Sequence, residues 1–162
     1  MGLFSKRSPS AGSATADSST TPPRVSELSD VERDWIASLL AIVADAGTDV
    51  DDAVRIRALY DDSVTRWYRV NPPERVDPHP MINAIGTAFG EHLVRRTPLR
   101  WALTVDDART ELGLVDGLSQ VLLHPTELVA ERWRVPDDGG FITETIDRLI
   151  DRFPRSSGRR RA

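Results

Sequence analysis

The sequence has no cysteine. Structural disulfides, cysteine-ligated zinc and thiol nucleophiles are therefore excluded, and the chain suits a reducing compartment such as the cytoplasm. Nor is there any run approaching the roughly 18 apolar residues that a membrane-crossing helix needs. The opening MGLFSKRS lacks the apolar core of a secretory signal. It also departs from the myristoylation pattern, with Lys6 standing where Ser or Thr is wanted. The expectation is a soluble cytoplasmic protein. Lysine is nearly missing: twenty of the twenty-one basic residues are arginine, a bias that points to a GC-rich bacterial genome more than to an activity. No internal repeat is present.

What remains is a chain of 162 residues, the size of one domain with tails. Its net charge of −4 is unevenly spread. Residues 1–27 carry +1, from Lys6, Arg7 and Arg24 against Asp17 and Glu27, and residues 154–162 carry +4 from four arginines, which leaves −9 on residues 28–153. An acidic body repels phosphate backbones and argues against nucleic acid as a ligand of the fold. Residues 8–23 are almost wholly Ser, Thr, Ala, Gly and Pro, too polar to offset the entropy of ordering. Residues 1–27 are therefore expected to be disordered, 28–153 to form a single α+β domain, and 154–162 to be a disordered arginine-rich tail.

Within the domain, Ser29 and Glu32 make a capping box. Behind it, Val31, Trp35, Leu39, Ile42, Val43 and Ala46 recur at helical spacing, with Gly47 as the stop. A second helix starts near Asp49 or Asp51 and presents Ile56, Leu59, Tyr60, Ser63 and Trp67 before Asn71-Pro72-Pro73 ends it. A third starts at Pro80. Met81, Ile82, Ile85, Gly86, Ala88, Phe89, Gly90, His92 and Leu93 share a sector of about 200°, twice the width of a surface helix's apolar stripe, with Asn83, Thr87, Glu91 and Val94 opposite. Such a helix belongs in the middle of a domain. Gly86 and Gly90 each cost about 1 kcal/mol of helix propensity, and close approach of a neighbouring backbone is the simplest compensation.

The period then changes to two. Leu99, Trp101, Leu103 and Val105 alternate with Arg100, Ala102 and Thr104, the pattern of a half-buried strand with the first set inward. A turn at 106–109, a strand at 110–115, a hairpin turn at Asp116-Gly117 and a strand at 120–124 complete a three-stranded antiparallel meander. A short helix at 126–134 and a last one ending at Phe153 follow, for the order ααα-βββ-αα.

Several of these elements occur together in a known family. The run Gly86-Thr87-Ala88-Phe89-Gly90-Glu91-His92-Leu93, then Trp101 on a strand, Pro125 after the third strand and Val129-Ala130-Glu131-Arg132-Trp133 resemble a bacterial domain-of-unknown-function family, number thirty-eight-oh-six. With the two preceding helices, the likeness covers roughly residues 28–153. One departure is Asp106-Asp107-Ala108-Arg109, where the family pattern would have a glycine in the turn. The resemblance implies a fold and a bacterial origin. It implies no activity.

The residues that could carry chemistry are few. His79, His92 and His124 lie on a loop, a helix and a strand end, without metal-ligand spacing. His92 falls inside the apolar sector, as either a core histidine or a general base beside a pocket. The carboxylate pairs Asp51-Asp52, Asp61-Asp62, Asp106-Asp107 and Asp137-Asp138 mostly sit at helix starts and turns, where aspartate is favoured locally. No nucleophile elbow is present, and GTAFG lacks the Lys-Ser or Lys-Thr of a phosphate loop. Arg159-Arg160-Arg161 has no interleaved aromatics for base stacking. Arg132 and Trp133, of the residue types enriched at binding hot spots, are the interaction candidates; Gly86, Gly90 and Trp101 are the structural ones. No catalytic, cofactor-binding or metal-ligating residue is assigned, and no cofactor is expected.

Two readings follow. The favoured one is a non-catalytic module that holds a protein partner on the sheet face or at Arg132-Trp133, because no mutually supporting catalytic set is present. The other is a small enzyme with a site at His92 and a nearby carboxylate. Homo-oligomerisation stays open, as does the partner's identity.

Overall fold

A computed structural model describes residues 24–105, 109–135 and 137–155. Among them the chain is α+β, with five α-helices and a four-stranded antiparallel sheet in the order β1-β2-β3-β4. The expected N-terminal disorder and the turn at 106–108 lie largely or wholly outside the described residues, as does the tail from 156 onward.

The first difference from expectation is β1 (Arg24–Ser26), drawn from the stretch expected to lack structure. It pairs antiparallel with β2 (Arg100–Val105), placing Val25 opposite Thr104. The sheet is thus four-stranded rather than a three-stranded meander, and β2 becomes an inner strand. Three residues carry no readable period. Their order comes from the hydrogen-bonding edge that β2 offers.

Helix α1 (Asp30–Asp45) starts at the capping box, where the Ser29 N–H donates to the Glu32 carboxylate at 2.6 Å. Gly47 ends it with a left-handed φ of 75°, and the Thr48 N–H returns to the Val43 carbonyl at 3.1 Å. The buried side is Ile36, Leu39 and Val43. Val31, 74% exposed, and Trp35, 42% exposed, stand outside it, so the inward face is rotated from the expected stripe. Helix α2 (Ala53–Arg69) is capped by Asp52, which accepts from the Val54 and Arg55 N–H groups at 2.9 and 3.2 Å, and it buries Ile56, Tyr60 and Val64. The proline-rich connection folds back on α2. The Arg75 guanidinium lies 4.5 Å from the Trp67 ring centroid, and Trp67 Nε1 donates to the Val76 carbonyl at 2.8 Å.

Helix α3 (His79–Arg96) packs against α1, α2, α4 and α5 and touches β2. Its burial extends further round than the 200° sector: Thr87, expected on the open side, is fully enclosed together with Ala84. A helix buried nearly all round is a core helix. Its last carbonyls are met from far along the chain, since Arg155 Nη2 donates to Val94 O at 3.0 Å and Nε to Thr97 O at 3.2 Å. Arg155, the first arginine of the expected loose tail, therefore belongs to the folded body.

In the sheet, Trp101 faces Leu114 and Leu103 faces Leu112 across β2 and β3 (Thr110–Val115). Burial does not follow the expected alternation. Ala102 and Thr104 are enclosed, whereas Trp101 and Leu103 are part-buried and Val105 reaches solvent. Trp101 still packs on the core, with its indole N–H donating to Glu91 at 3.2 Å. The loop after β3 is wider than a two-residue hairpin. Asp116 Oδ1 accepts from the Leu118 and Gln120 N–H groups, both at 2.9 Å, and the left-handed residue is Ser119 (φ 58°), not Gly117. Here the aspartate side chain organises the turn. Strand β4 (Val121–Leu123) follows, then α4 (Pro125–Arg134) and α5 (Gly140–Arg152). The N-terminus of α5 is tied to α2 by a bond of 2.6 Å from the Gly139 N–H to Asp61 Oδ1.

Candidate functional site

The two helical glycines decide where α4 lies. A Cβ on Gly86 would fall 2.6 Å from Thr126 Cα, and one on Gly90 would run into the Trp101 indole and reach within 2.9 Å of Pro125 Cγ. The first turn of α4 therefore rests on the bare backbone of α3. That seating leaves a cleft of about 540 Å³ between α1, the start of α3, the sheet and α4. Ile82, Leu103, Leu112 and Ala130 supply apolar lining, and Trp35 comes from α1. Glu32, Glu131 and Arg134 add charge around them.

At the sheet end of this cleft four polar side chains meet: Arg109 and Glu111 at the start of β3, His124 at the N-cap of α4, and Glu127 in its first turn. Glu111 Oε2 lies 3.4 Å from His124 Nδ1, while its Oε1 lies 3.6 Å from Arg109 Nη1. Arg109 Nη1 is also 3.6 Å from Glu127 Oε1. One ligand atom from each of Glu111, His124 and Glu127 can be chosen so that all lie within 4.8 Å of one another. His124 Nδ1 is itself buried and makes no hydrogen bond among the described residues. The ring runs alongside Gly113, where an added Cβ would stand 3.5 Å from His124 Cε1.

Of the residues singled out from sequence, His124 lies in this cluster and His79 lines the same cleft; the others are placed elsewhere. His92 is 4% exposed, with Nδ1 2.8 Å from the Val50 carbonyl; it holds the α1–α2 connection to α3 and does not line this cleft. Trp133, expected at an interaction surface, is 3% exposed. Its indole is wedged edge-on between Tyr60 and Trp67, with ring centroids 6.0 and 6.2 Å away. The apolar side of a short helix turns inward, and the indole goes with it. Arg132 remains part-exposed, 3.4 Å from Asp137 and over the Phe141 ring. His79 is exposed and paired with Asp77 at 2.5 Å. Its backbone N–H, and then its side chain, hold the Asp77 carboxyl below the usual range. Asp51 pairs with Arg95 at 2.9 Å, and Asp138 caps Gly140 while facing Arg57 at 3.3 Å. Among the described residues the aspartate pairs thus serve as caps and ion-pair partners.

The cluster of Glu111, His124 and Glu127 was not visible in the sequence, because its members come from two strand ends and a helix and share no spacing. The one local signal is that His124 directly precedes the helix-opening Pro125.

Residues 67–142 match a family described as Domain of unknown function (DUF3806). That stretch belongs to the family. The DUF3806 stretch runs from the end of α2 into α5. It holds Arg109, Glu111, His124 and Glu127 together with the glycines that seat α4, whereas Glu32 and Trp35 of the cleft lie outside it. Comparison with curated proteins and with solved structures gives no match. Among the described residues no helix is long and apolar enough to cross a membrane.

Proposed function

We propose that the chain is a non-catalytic binding module that seats a protein partner in the cleft between α1, the sheet and α4. The observation that carries this reading is Trp35, held part-exposed at a cleft whose lining is apolar within and charged around it. An aromatic anchor over an apolar recess, with polar groups about it, is the composition of an interaction hot spot. The location differs from the Arg132-Trp133 surface, since Trp133 is spent on the core. The reading also draws support from His92. With both its exposure and its Nδ1 taken up by the fold, the alternative of an enzyme built on it loses the reacting group it required.

The test uses a photo-crosslinking residue in place of Trp35, and in a second variant in place of Val54, an exposed position on α2 away from the cleft. Each is expressed at native level in the source organism. A covalent adduct with a discrete protein is expected from position 35 and not from position 54, and Leu103→Glu in the cleft abolishes it. Equal labelling from both positions, or none from position 35, overturns the reading.

A further inference from the structure

We propose that Glu111, His124 and Glu127 form a binding site for a divalent transition-metal ion, with zinc the best-suited candidate. Three independent features of the geometry lead there. The first is spacing. Around an ion with bonds of about 2.1 Å in tetrahedral array, neighbouring ligand atoms stand about 3.4 Å apart, and Glu111 Oε2 and His124 Nδ1 are separated by 3.4 Å. The third ligand, Glu127, is half-exposed on the first turn of α4, within the 4.8 Å limit of the set. Rotation about its own side-chain bonds can bring its carboxylate to ligating distance.

The second feature is the unspent nitrogen. A buried imidazole nitrogen without a hydrogen bond is costly, and His124 Nδ1 is in that condition while facing a carboxylate oxygen at 3.4 Å. A metal ion placed between them would satisfy both. The third is the outer layer. Arg109 lies 3.6 Å from an oxygen of each glutamate, and on Glu111 it takes Oε1, leaving Oε2 turned toward the histidine. Ligating carboxylates are commonly oriented by such second contacts. One nitrogen and two carboxylate donors suit zinc, manganese, iron or cobalt, whereas magnesium and calcium prefer oxygen alone. With three protein ligands, a fourth position would face the cleft, open to water or to a donor from whatever enters it.

The proposal does not depend on the partner reading, because uptake is measured on the full chain alone. After chelator treatment, calorimetric titration with zinc chloride is expected to show one ion per chain, and titration with magnesium chloride no comparable binding. Glu127→Gln and Glu111→Gln keep the side-chain shape and should weaken zinc at least tenfold, and His124→Ala should weaken it further. His79→Ala removes the exposed Asp77-His79 pair, a surface spot where a metal would collect adventitiously, and should leave the affinity unchanged. Far-ultraviolet melts check that each variant is folded. No zinc uptake by the wild-type chain would mean that Glu111 and His124 form only an ion pair, and would overturn the proposal. Unchanged affinity in both glutamine variants, or a loss that follows His79 instead, would overturn it as well.

Discussion

Tyr60 is the residue on which the packing of the helices bears most directly. Its ring is enclosed, edge-on to Phe141 at 5.1 Å and to Trp133 at 6.0 Å, and its hydroxyl has no hydrogen-bond partner among the described residues. Burial first, and then the neighbouring Asp61 carboxylate, push its pKa up to about 12 from an ordinary 10.0. The unfolded chain therefore releases this proton before the folded one does. The contribution to stability is complete below the ordinary value and is lost as pH rises toward the folded one. For a shift of this size the loss is about 2–3 kcal/mol. Urea unfolding of wild type and Tyr60→Phe at neutral and alkaline pH measures it. The variant should lose less stability on the alkaline side and should match or exceed wild type near neutrality, because it no longer buries an unpaired hydroxyl. An identical alkaline limb in both proteins would count against the assignment. Neither this hydroxyl nor the enclosure of Trp133 was legible in the sequence, whereas the core position of His92 was, since it falls within the apolar sector of α3. Periodicity locates a residue on a face of its own helix, not the depth to which a neighbour covers that face.

Between elements, the contact of α3 with α4 governs the cleft. The sequence shows two glycines inside an apolar helix and so announces a close approach, but it does not name the approaching element. The structure places the Thr126 backbone over Gly86 and the Trp101 ring with Pro125 over Gly90. Gly86→Ala and Gly90→Ala should each lower the melting temperature, the overpacking cost of about 1–3 kcal/mol exceeding the helix propensity gained. The loss should be larger at position 86, because a helix backbone yields less readily than an indole that is partly open to solvent. A melt showing Gly86→Ala above wild type would sink this account. The strands teach the converse. The bounds of β3 were readable from alternation, yet β1 was not, because its order is lent by the edge of β2. The burial of Ala102 and Thr104 followed from that unforeseen partner and from residues opposite, such as Gly113.

For the molecule as a whole, the α+β class, the central place of α3 and the order of the later elements were legible, since each rests on a local period or a proline. The convergence of Arg109, Glu111, His124 and Glu127 was not, because it is a product of topology. The enclosure of α3 has a consequence for what constitutes an autonomous unit. The family match covers residues 67–142 and so omits α1, all but the last turn of α2, and most of α5. Those helices contribute Leu39, Val43, Ile56, Tyr60, Val64, Ile146 and Leu149 to the same core that surrounds Ile85 and Phe89 of α3. A fragment cut to residues 67–142 would bare that side of α3 to water and should show no cooperative thermal transition, whereas residues 24–155 should melt as the full chain does. A cooperative melt of the shorter piece would refute this. The stretch that inheritance has kept recognisable is smaller than the stretch that must fold together.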